Sequence, residues 1–148
     1  MKKKILLVGG CGFIGHNLAL YLKKKGHEPS IVDSLSINNL YSKDNTEIIN
    51  QKLYQSILNN RLDLLKKNNI DLKIQDARGY HEISSIYNVI KPDIIIHLAA
   101  VSHANRSNKD PHTTFDHSLR TLENTLDYAR SNKTHVIYMS SSMVYGNF

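Results

Sequence analysis

The 148-residue sequence contains only one cysteine, Cys11, and no tryptophan. A single cysteine excludes an internal disulfide framework and a zinc site built from clustered cysteines. It is compatible with the reducing environment of the cytosol, so we predict a cytoplasmic protein. A chain of this length can bury a sizeable core without covalent or metal staples, and we therefore expect one ordinary domain.

Long hydrophobic runs are also absent. Three lysines precede the apolar residues 5–8, but this run is too short for a signal peptide and ends on glycines. No stretch approaches the ~20 apolar residues that span a bilayer, so no membrane partner is expected. The 19 Lys+Arg and 13 Asp+Glu give a net charge of +6, which favours anionic partners, although solvated surface lysines are the preferred explanation. The lysines are scattered and form no recognition motif, so we do not expect nucleic-acid binding.

Five short apolar runs bounded by turn residues indicate β-strands at residues 5–8, 31–32, 72–74, 94–98 and 136–139. Segments with apolar residues at helical spacing lie between them. This alternation predicts an α/β fold, a doubly wound parallel sheet with helices on both faces. Residues 44–69 predict an additional amphipathic helix between the second and third strands. We expect it to pack beside the sheet rather than to present a face to a partner chain.

Three glycines, Gly9, Gly12 and Gly15, join the first strand to the first helix. Glycines at this spacing permit a tight turn and close backbone approach, so that a pyrophosphate can lie on the helix N-terminus. Asp33 follows the second strand and can accept hydrogen bonds from a ribose. Because Ser34 offers no charge for a 2′-phosphate, the pattern predicts NAD rather than NADP.

The loop sequence Gly9-Gly10-Cys11-Gly12-Phe13-Ile14-Gly15 resembles the fingerprint of the extended short-chain dehydrogenase/reductase family, the NAD-dependent nucleotide-sugar epimerases and dehydratases. Four later blocks resemble the same family in the same order: Asp76-Ala77, residues 97–101, Asp110-Pro111 with the helix after it, and residues 140–146. The resemblance implies a Rossmann-type sheet of about five strands in the order 3-2-1-4-5, with NAD as the cofactor.

The resemblance also implies which residues bind the cofactor. Asp76 and Ala77 match the pair that holds adenine, and the strand end at residues 98–100 passes beneath the cofactor. Ser118 stands where the family carries an asparagine, whose paired donor and acceptor it lacks. The implied cofactor-binding residues are Gly9, Gly12, Phe13, Ile14, Gly15, Asp33, Asp76, Ala77, Leu98, Ala99, Ala100 and Ser118.

Ser141 matches the serine or threonine that positions the reacting sugar hydroxyl in the family. Ser140 and Ser142 are close alternatives, because successive strand residues point to opposite faces. Tyr145 resembles the wall of the family's active site and is not expected to be the base. The family base lies in a downstream Tyr-x-x-x-Lys helix. Tyr21 with Lys25 and Tyr87 with Lys91 reproduce that spacing, but such pairs arise easily on lysine-rich helices.

We therefore expect residues 1–148 to form an incomplete NAD-binding Rossmann domain that lacks the family's Tyr-Lys helix, sixth strand and C-terminal substrate region. It would be the NAD-binding portion of a nucleotide-sugar epimerase or dehydratase, inactive alone, and able to self-associate or form a homodimer through its exposed edge strand. The alternatives are a non-catalytic NAD-binding module and one part of a split enzyme. No metal site is expected, because the neighbouring His97, His103, His112 and His117 lack the spacing of metal-binding helices.

Overall fold

The computed structural model of this chain describes residues 1–36, 39–41, 50–101 and 110–146. At its centre lies a five-stranded parallel sheet with the strand order β3-β2-β1-β4-β5. The strands are β1 (Lys4–Val8), β2 (Glu28–Asp33), β3 (Asp71–Ile74), β4 (Ile94–His97) and β5 (His135–Tyr138). The predicted α/β class and strand order are confirmed.

Helices connect the strands. They are α1 (Phe13–Lys24), α2 (Gln51–Lys67), α3 (Tyr80–Ile90), α4 (Pro111–Phe115) and α5 (Thr121–Asn132). A π-helical turn, Asp116–Arg120, joins α4 to α5 without leaving helical backbone angles, and a short 3₁₀ turn follows β5. The Asp110 carboxylate accepts a hydrogen bond from the backbone N–H of Thr113, and Pro111 occupies the first turn, so both residues favour a helix start here.

The core has two layers because alternate residues of each central strand face opposite sides of the sheet. On one side, Leu7 packs with Ile31 of β2 and with residues of α1 and α2. On the other side, Leu6 packs with Ile95 and with residues of α3 and α5. Burial on both faces explains why the central strands are nearly continuous apolar runs.

Helix α2 packs beside the sheet through Leu58 and Leu65, whose side chains are fully buried. This placement agrees with the extra helix expected within residues 44–69, of which residues 44–49 lie outside the described part of the chain. Among the helices that the structure describes, none combines the length and apolar character of a membrane span.

Strand β5 lies at one edge of the sheet and pairs with β4 alone among the described strands. Ile137 and Tyr138 on this strand are 40% and 52% exposed. An exposed edge of this kind is a template for pairing with another chain. Self-association through β5 stays a prediction.

Candidate functional site

A cleft of about 520 Å³ lies at the carboxyl ends of the strands, on the glycine loop. Strand β1 has β2 on one side and β4 on the other, and the crossover from β1 to β2 runs over one face of the sheet whereas that from β3 to β4 runs over the other. Ligands of open α/β sheets bind at such a switch point, outside the carboxyl ends of the strands. The cleft therefore lies where the fold favours ligand binding.

Two glycines shape the floor of the cleft through backbone packing. Gly9 has φ +77°, and a Cβ atom at this residue would lie 2.7 Å from the Cα atom of Ala99. A Cβ atom at Gly15 would lie 2.5 Å from the Cα atom of Gly10. Both distances are too short for real side chains, so the loop reaches the end of β4 and the start of α1 only because these residues are glycine.

Gly12 serves a different purpose, because a Cβ atom there would meet only the Gly9 carbonyl oxygen, at 3.8 Å. Gly12 is the N-cap of α1, lines the cleft and offers no side-chain hydrogen bond to the first turn of the helix. The first N–H groups of a helix have no partner within the helix and attract anions. The open space over Gly12 thus fits a phosphate group of a dinucleotide.

Asp33 connects the end of β2 to the glycine loop. Its carboxylate accepts one hydrogen bond from the backbone N–H of Cys11 and one from that of Leu35, both at 2.8 Å. Burial raises the pKa of Asp33, and these two hydrogen bonds only partly oppose that effect. An ionised carboxylate has about four lone-pair sites, so Asp33, which lines the cleft, retains capacity to accept ribose hydroxyls.

Asp76 lines the cleft beside Ala77, and its carboxylate forms an ion pair with Arg78. The Arg78 guanidinium lies 2.6 Å from an oxygen of Asp76 and 2.6 Å from an oxygen of Asp116 in the π turn. Burial alone raises the pKa of Asp76, yet the hydrogen bonds from Arg78 outweigh burial and hold that pKa below its usual value. Arg78 therefore links the cleft-lining Asp76 to the π turn between α4 and α5.

His97 at the end of β4 is buried and hydrogen-bonded at both ring nitrogens. Nε2 lies 3.1 Å from the carbonyl oxygen of Ala99, which can only accept, so Nε2 carries the proton. Nδ1 lies 3.1 Å from the Thr125 hydroxyl oxygen, which is also 2.8 Å from the Tyr87 hydroxyl and 3.1 Å from the Thr121 carbonyl oxygen. This network fixes the tautomer and orientation of a neutral imidazole beneath the cleft.

A comparison with protein families gives a match over residues 5–148 to the model of the NAD dependent epimerase/dehydratase family. This chain belongs to that family. Protein CapI of Staphylococcus aureus is 33% identical over 144 residues, which cover 97% of this chain and 39% of that protein. A UDP-N-acetyl-alpha-D-glucosaminuronate decarboxylase of Bacillus cytotoxicus is 31% identical over 153 residues, with coverage of 99% and 39%.

Among solved structures, the UDP-glucose-4-epimerase of Stenotrophomonas maltophila with bound NAD and formylated UDP-arabinopyranose superposes with a TM-score of 0.77. It is 23% identical, and the match covers 99% of this chain and 39% of that one. This chain of the NAD-dependent epimerase/dehydratase family thus spans about 39% of the length of these relatives. The predicted family, the Rossmann-type fold and NAD as the family's cofactor are confirmed.

Most of the residues predicted to bind the cofactor meet in the cleft of this family member. They are Gly9, Gly12, Phe13, Ile14, Gly15, Asp33, Asp76, Ala77, Leu98, Ala99 and Ala100. Ser118 does not line the cleft, and its hydroxyl accepts a hydrogen bond from the backbone N–H of Val101 at 3.2 Å. His117 of the π turn and Thr121, the first residue of α5, line the cleft instead.

Ser141 follows β5 and is exposed, just beyond the cleft-lining residues Tyr138 and Met139. The two Tyr-Lys pairs with the family spacing do not line the cleft. Tyr87 is buried, which raises its pKa to about 12, and Tyr21 lies on α1 with Lys25 over its ring at 5.4 Å. That neither pair has a catalytic role stays a prediction.

Among the residues that the structure describes, no three His, Cys, Asp or Glu side chains form a group that could hold a metal ion. His103, one of the four neighbouring histidines in the sequence, lies outside the described residues. His97 is the histidine held in the network beneath the cleft.

Tyr54 and Arg61 of α2 also line the cleft, and neither was among the predicted site residues. The two residues are seven apart, and so they lie on one face of the helix. This spacing was readable from the sequence. The sequence does not show that α2 lies beside the glycine loop, because the long crossover between β2 and β3 leaves the position of this helix open.

His97 makes the stability of the fold depend on pH. Burial lowers its pKa to about 4, against about 6.5 in the unfolded chain. The unfolded state therefore binds the extra proton between these pH values, and the free energy of unfolding falls as the pH drops from 6.5 to 4, by about 3 kcal/mol at most. Above pH 6.5 this contribution is fully present.

Urea unfolding at a series of pH values from 7.5 to 4 checks this prediction. The matched variant is His97→Gln, which keeps a polar side chain that does not titrate. We expect the variant to be less stable at pH 7 but to lose less stability across the same pH range. Equal pH slopes for the two proteins would show that His97 is not the group responsible.

Proposed function

We propose that this chain supplies the NAD-binding site for epimerisation or dehydration of a nucleotide sugar. The observation that carries the proposal is the cradle at the switch point, where Gly12 leaves space over the uncapped start of α1 and Asp33 is fixed beside it. Bound in this cleft, NAD would accept a hydride from a sugar carbon and return it later in the cycle. Membership of the NAD-dependent epimerase/dehydratase family supports the same assignment.

The residues of the cleft have distinct roles in this proposal. The first turn of α1 binds the pyrophosphate over Gly12, and the Asp33 carboxylate accepts from the adenosine ribose. Ala77, beside the Asp76–Arg78 ion pair, contacts the adenine. The strand end from Leu98 to Ala100 lies beneath the cofactor. The cleft lining and the order of strands around β1 support these positions.

The substrate would be a nucleotide sugar, whose hydroxyl Ser141 would orient. Support comes from the family and from the position of Ser141 directly after β5, next to the cleft-lining Met139. The second candidate function is a non-catalytic NAD-binding module. It is favoured by one observation: no lysine lines the described part of the cleft, so the Tyr-Lys pair of the family chemistry is not assembled there.

We also propose a cytoplasmic location, which the single free cysteine supports. The Cys11 thiol is buried in the glycine loop, and burial raises its pKa strongly. A buried neutral thiol of this kind is a packing residue rather than a reactive group.

Cofactor preference tests the proposed function. We expect the unmodified chain to bind NAD at least about 10-fold more tightly than NADP. The 2′-phosphate of NADP would be repelled by the Asp33 carboxylate, and it replaces the 2′-hydroxyl that donates a hydrogen bond to that carboxylate in NAD. Asp33→Asn removes the charge but keeps one acceptor oxygen for the backbone N–H groups, so it should largely erase the preference. Isothermal titration calorimetry with both cofactors measures the two ratios.

The matched control is Asp63→Asn, which removes an acidic charge from α2 at an exposed residue that does not line the cleft. It should leave the NAD to NADP ratio unchanged. Equal affinity of the unmodified chain for the two cofactors would contradict the role assigned to Asp33, and failure to bind either would contradict the proposed function.

A further inference from the structure

Helix α2 presents one face to both the core and the cleft. Leu58 and Leu65 on this face are buried against the rest of the fold, and Tyr54 and Arg61 line the cleft. Leu65 belongs to the same core cluster as Ala19 of α1, and α2 lies against that helix. Arg61 is therefore carried on a rigid element to the cleft, rather than on a loop.

The Arg61 guanidinium lies at the start of α1. Its Cζ atom is 5.9 Å from the centre of the Phe13 ring, and Phe13 is the first residue of that helix. Burial and the charge of Asp33 raise the pKa of the Cys11 thiol, and the charge of Arg61 opposes them. The cation–π contact with Phe13 places the guanidinium beside the glycine loop, next to Gly12, and its electrostatic effect on Cys11 agrees with that position.

Arg61 has no carboxylate partner among the residues that the structure describes. By contrast, Arg78, Arg120 and Arg130 each pair with an aspartate at 2.6–2.9 Å. Arg61 is half-buried, and a half-buried guanidinium has five donors to satisfy. Its position in a cleft, next to a helix start that already attracts anions, indicates a ligand with negative charge.

We propose that Arg61 binds the pyrophosphate of the dinucleotide, across from the N–H groups at the start of α1. The inference rests on the proposed function and deepens it by naming a second phosphate-binding group. A guanidinium can bind two phosphate oxygens at once, and such charge-assisted hydrogen bonds are stronger than neutral ones. Phe13 would hold the guanidinium plane before the ligand arrives.

A 2′-phosphate is the competing ligand for this cation, since NADP carries one on the adenosine ribose. The pyrophosphate is the favoured ligand because the guanidinium lies over the ring of Phe13, the residue directly after Gly12. Asp33 and Ser34, which would flank a 2′-phosphate, lie at the end of β2. The two ligand positions predict different responses to removal of the charge.

Arg61→Gln tests the proposal by calorimetry with NAD, NADP and ADP-ribose and by ligand-observed NMR with adenosine, which has no phosphate. We expect the affinities for NAD, NADP and ADP-ribose to fall together, by about 10- to 100-fold, with adenosine binding unchanged within about twofold. Arg61→Lys should recover part of the loss because it keeps the charge without the bidentate geometry. Lys52→Gln, on the same helix but not lining the cleft, is the matched control.

Several results would overturn the inference. Unchanged affinities in Arg61→Gln, with the unmodified chain binding NAD, would show that Arg61 does not contact the ligand while leaving the proposed function intact. A loss confined to NADP would assign Arg61 to the 2′-phosphate, and an equal loss for adenosine would show a general change of the cleft. If the unmodified chain binds neither NAD nor ADP-ribose, the proposed function fails first, and this inference fails with it.

Discussion

Replacement of Gly12 by valine is expected to abolish NAD binding and to leave the fold intact. A Cβ atom at this residue meets only one backbone oxygen, at 3.8 Å, and the backbone angles of Gly12 are accessible to any residue. The branched side chain would instead fill the space over the first turn of α1. Losing two charge-assisted hydrogen bonds to the pyrophosphate costs about 3–6 kcal/mol, so the affinity should fall by more than about 100-fold.

Gly15→Ala provides the contrast that makes this result interpretable. Its Cβ atom would lie 2.5 Å from the backbone of Gly10, so the loop and the helix would have to separate. We expect this smaller substitution to destabilise the fold by about 1–3 kcal/mol or more. Gly12→Val should change the unfolding free energy by less than about 1 kcal/mol, the usual difference between N-cap residues.

Calorimetry with NAD and urea unfolding of the two variants separate the predictions. Gly12→Ala is the matched control, since its single methyl group should weaken NAD binding less than valine does. Tight NAD binding by folded Gly12→Val would place the pyrophosphate elsewhere and contradict the role of the glycine loop. A fold lost in Gly12→Val would show that this residue, too, is needed for backbone packing.

The parts of this site that sequence reasoning could identify are those held by local backbone geometry. The turn at Gly9, the helix start at Gly12 and the acid at the end of β2 each follow from a short stretch of chain and from the alternation of strands and helices. The strand order follows because only a few connections are compatible with a parallel sheet. The residues that form each of these features are close together in the sequence, so a short stretch of sequence is enough to predict their geometry.

Other parts of the site depend on contacts between distant segments. The π turn between α4 and α5 changes the angular position of residues 116–120, so counting from Pro111 to Ser118 does not identify the residue that reaches the cleft. Arg78 pairs with Asp76, two positions away, and with Asp116, 38 positions away. Arg61 reaches the glycine loop only because α2 packs on the sheet. The contacts with Asp116 and with the glycine loop join residues that are far apart in the sequence, so no short sequence pattern predicts them.

The second large effect concerns turnover. We expect residues 1–148 to bind NAD and yet to convert no nucleotide sugar at a detectable rate. Ser141 can orient a hydroxyl, but its own pKa is far too high for it to remove a proton. The described cleft is lined by two tyrosines, Tyr54 and Tyr138, and by no lysine that would lower a tyrosine pKa.

Proton abstraction by a positioned base contributes typically 10²–10⁴-fold, and it must act while the hydride acceptor is oriented. We therefore expect turnover of UDP-hexoses when a segment of a family member that carries a Tyr-x-x-x-Lys helix is added, in trans or by fusion. Proton NMR measures this turnover. Ser141→Ala should then lower the rate by about 10²-fold or more, and Ser140→Ala, at the preceding residue, should have a smaller effect.

Robust conversion of a nucleotide sugar by residues 1–148 alone would contradict this prediction, because it would require a base within the present chain. Tyr145 would be the first residue to test, since it lies in the 3₁₀ turn after β5 and is 75% exposed. Tyr145→Phe removes only the hydroxyl, so a loss of turnover with unchanged NAD affinity would assign the base. Turnover that survives both Tyr145→Phe and Ser141→Ala would place the proton transfer outside this strand end altogether.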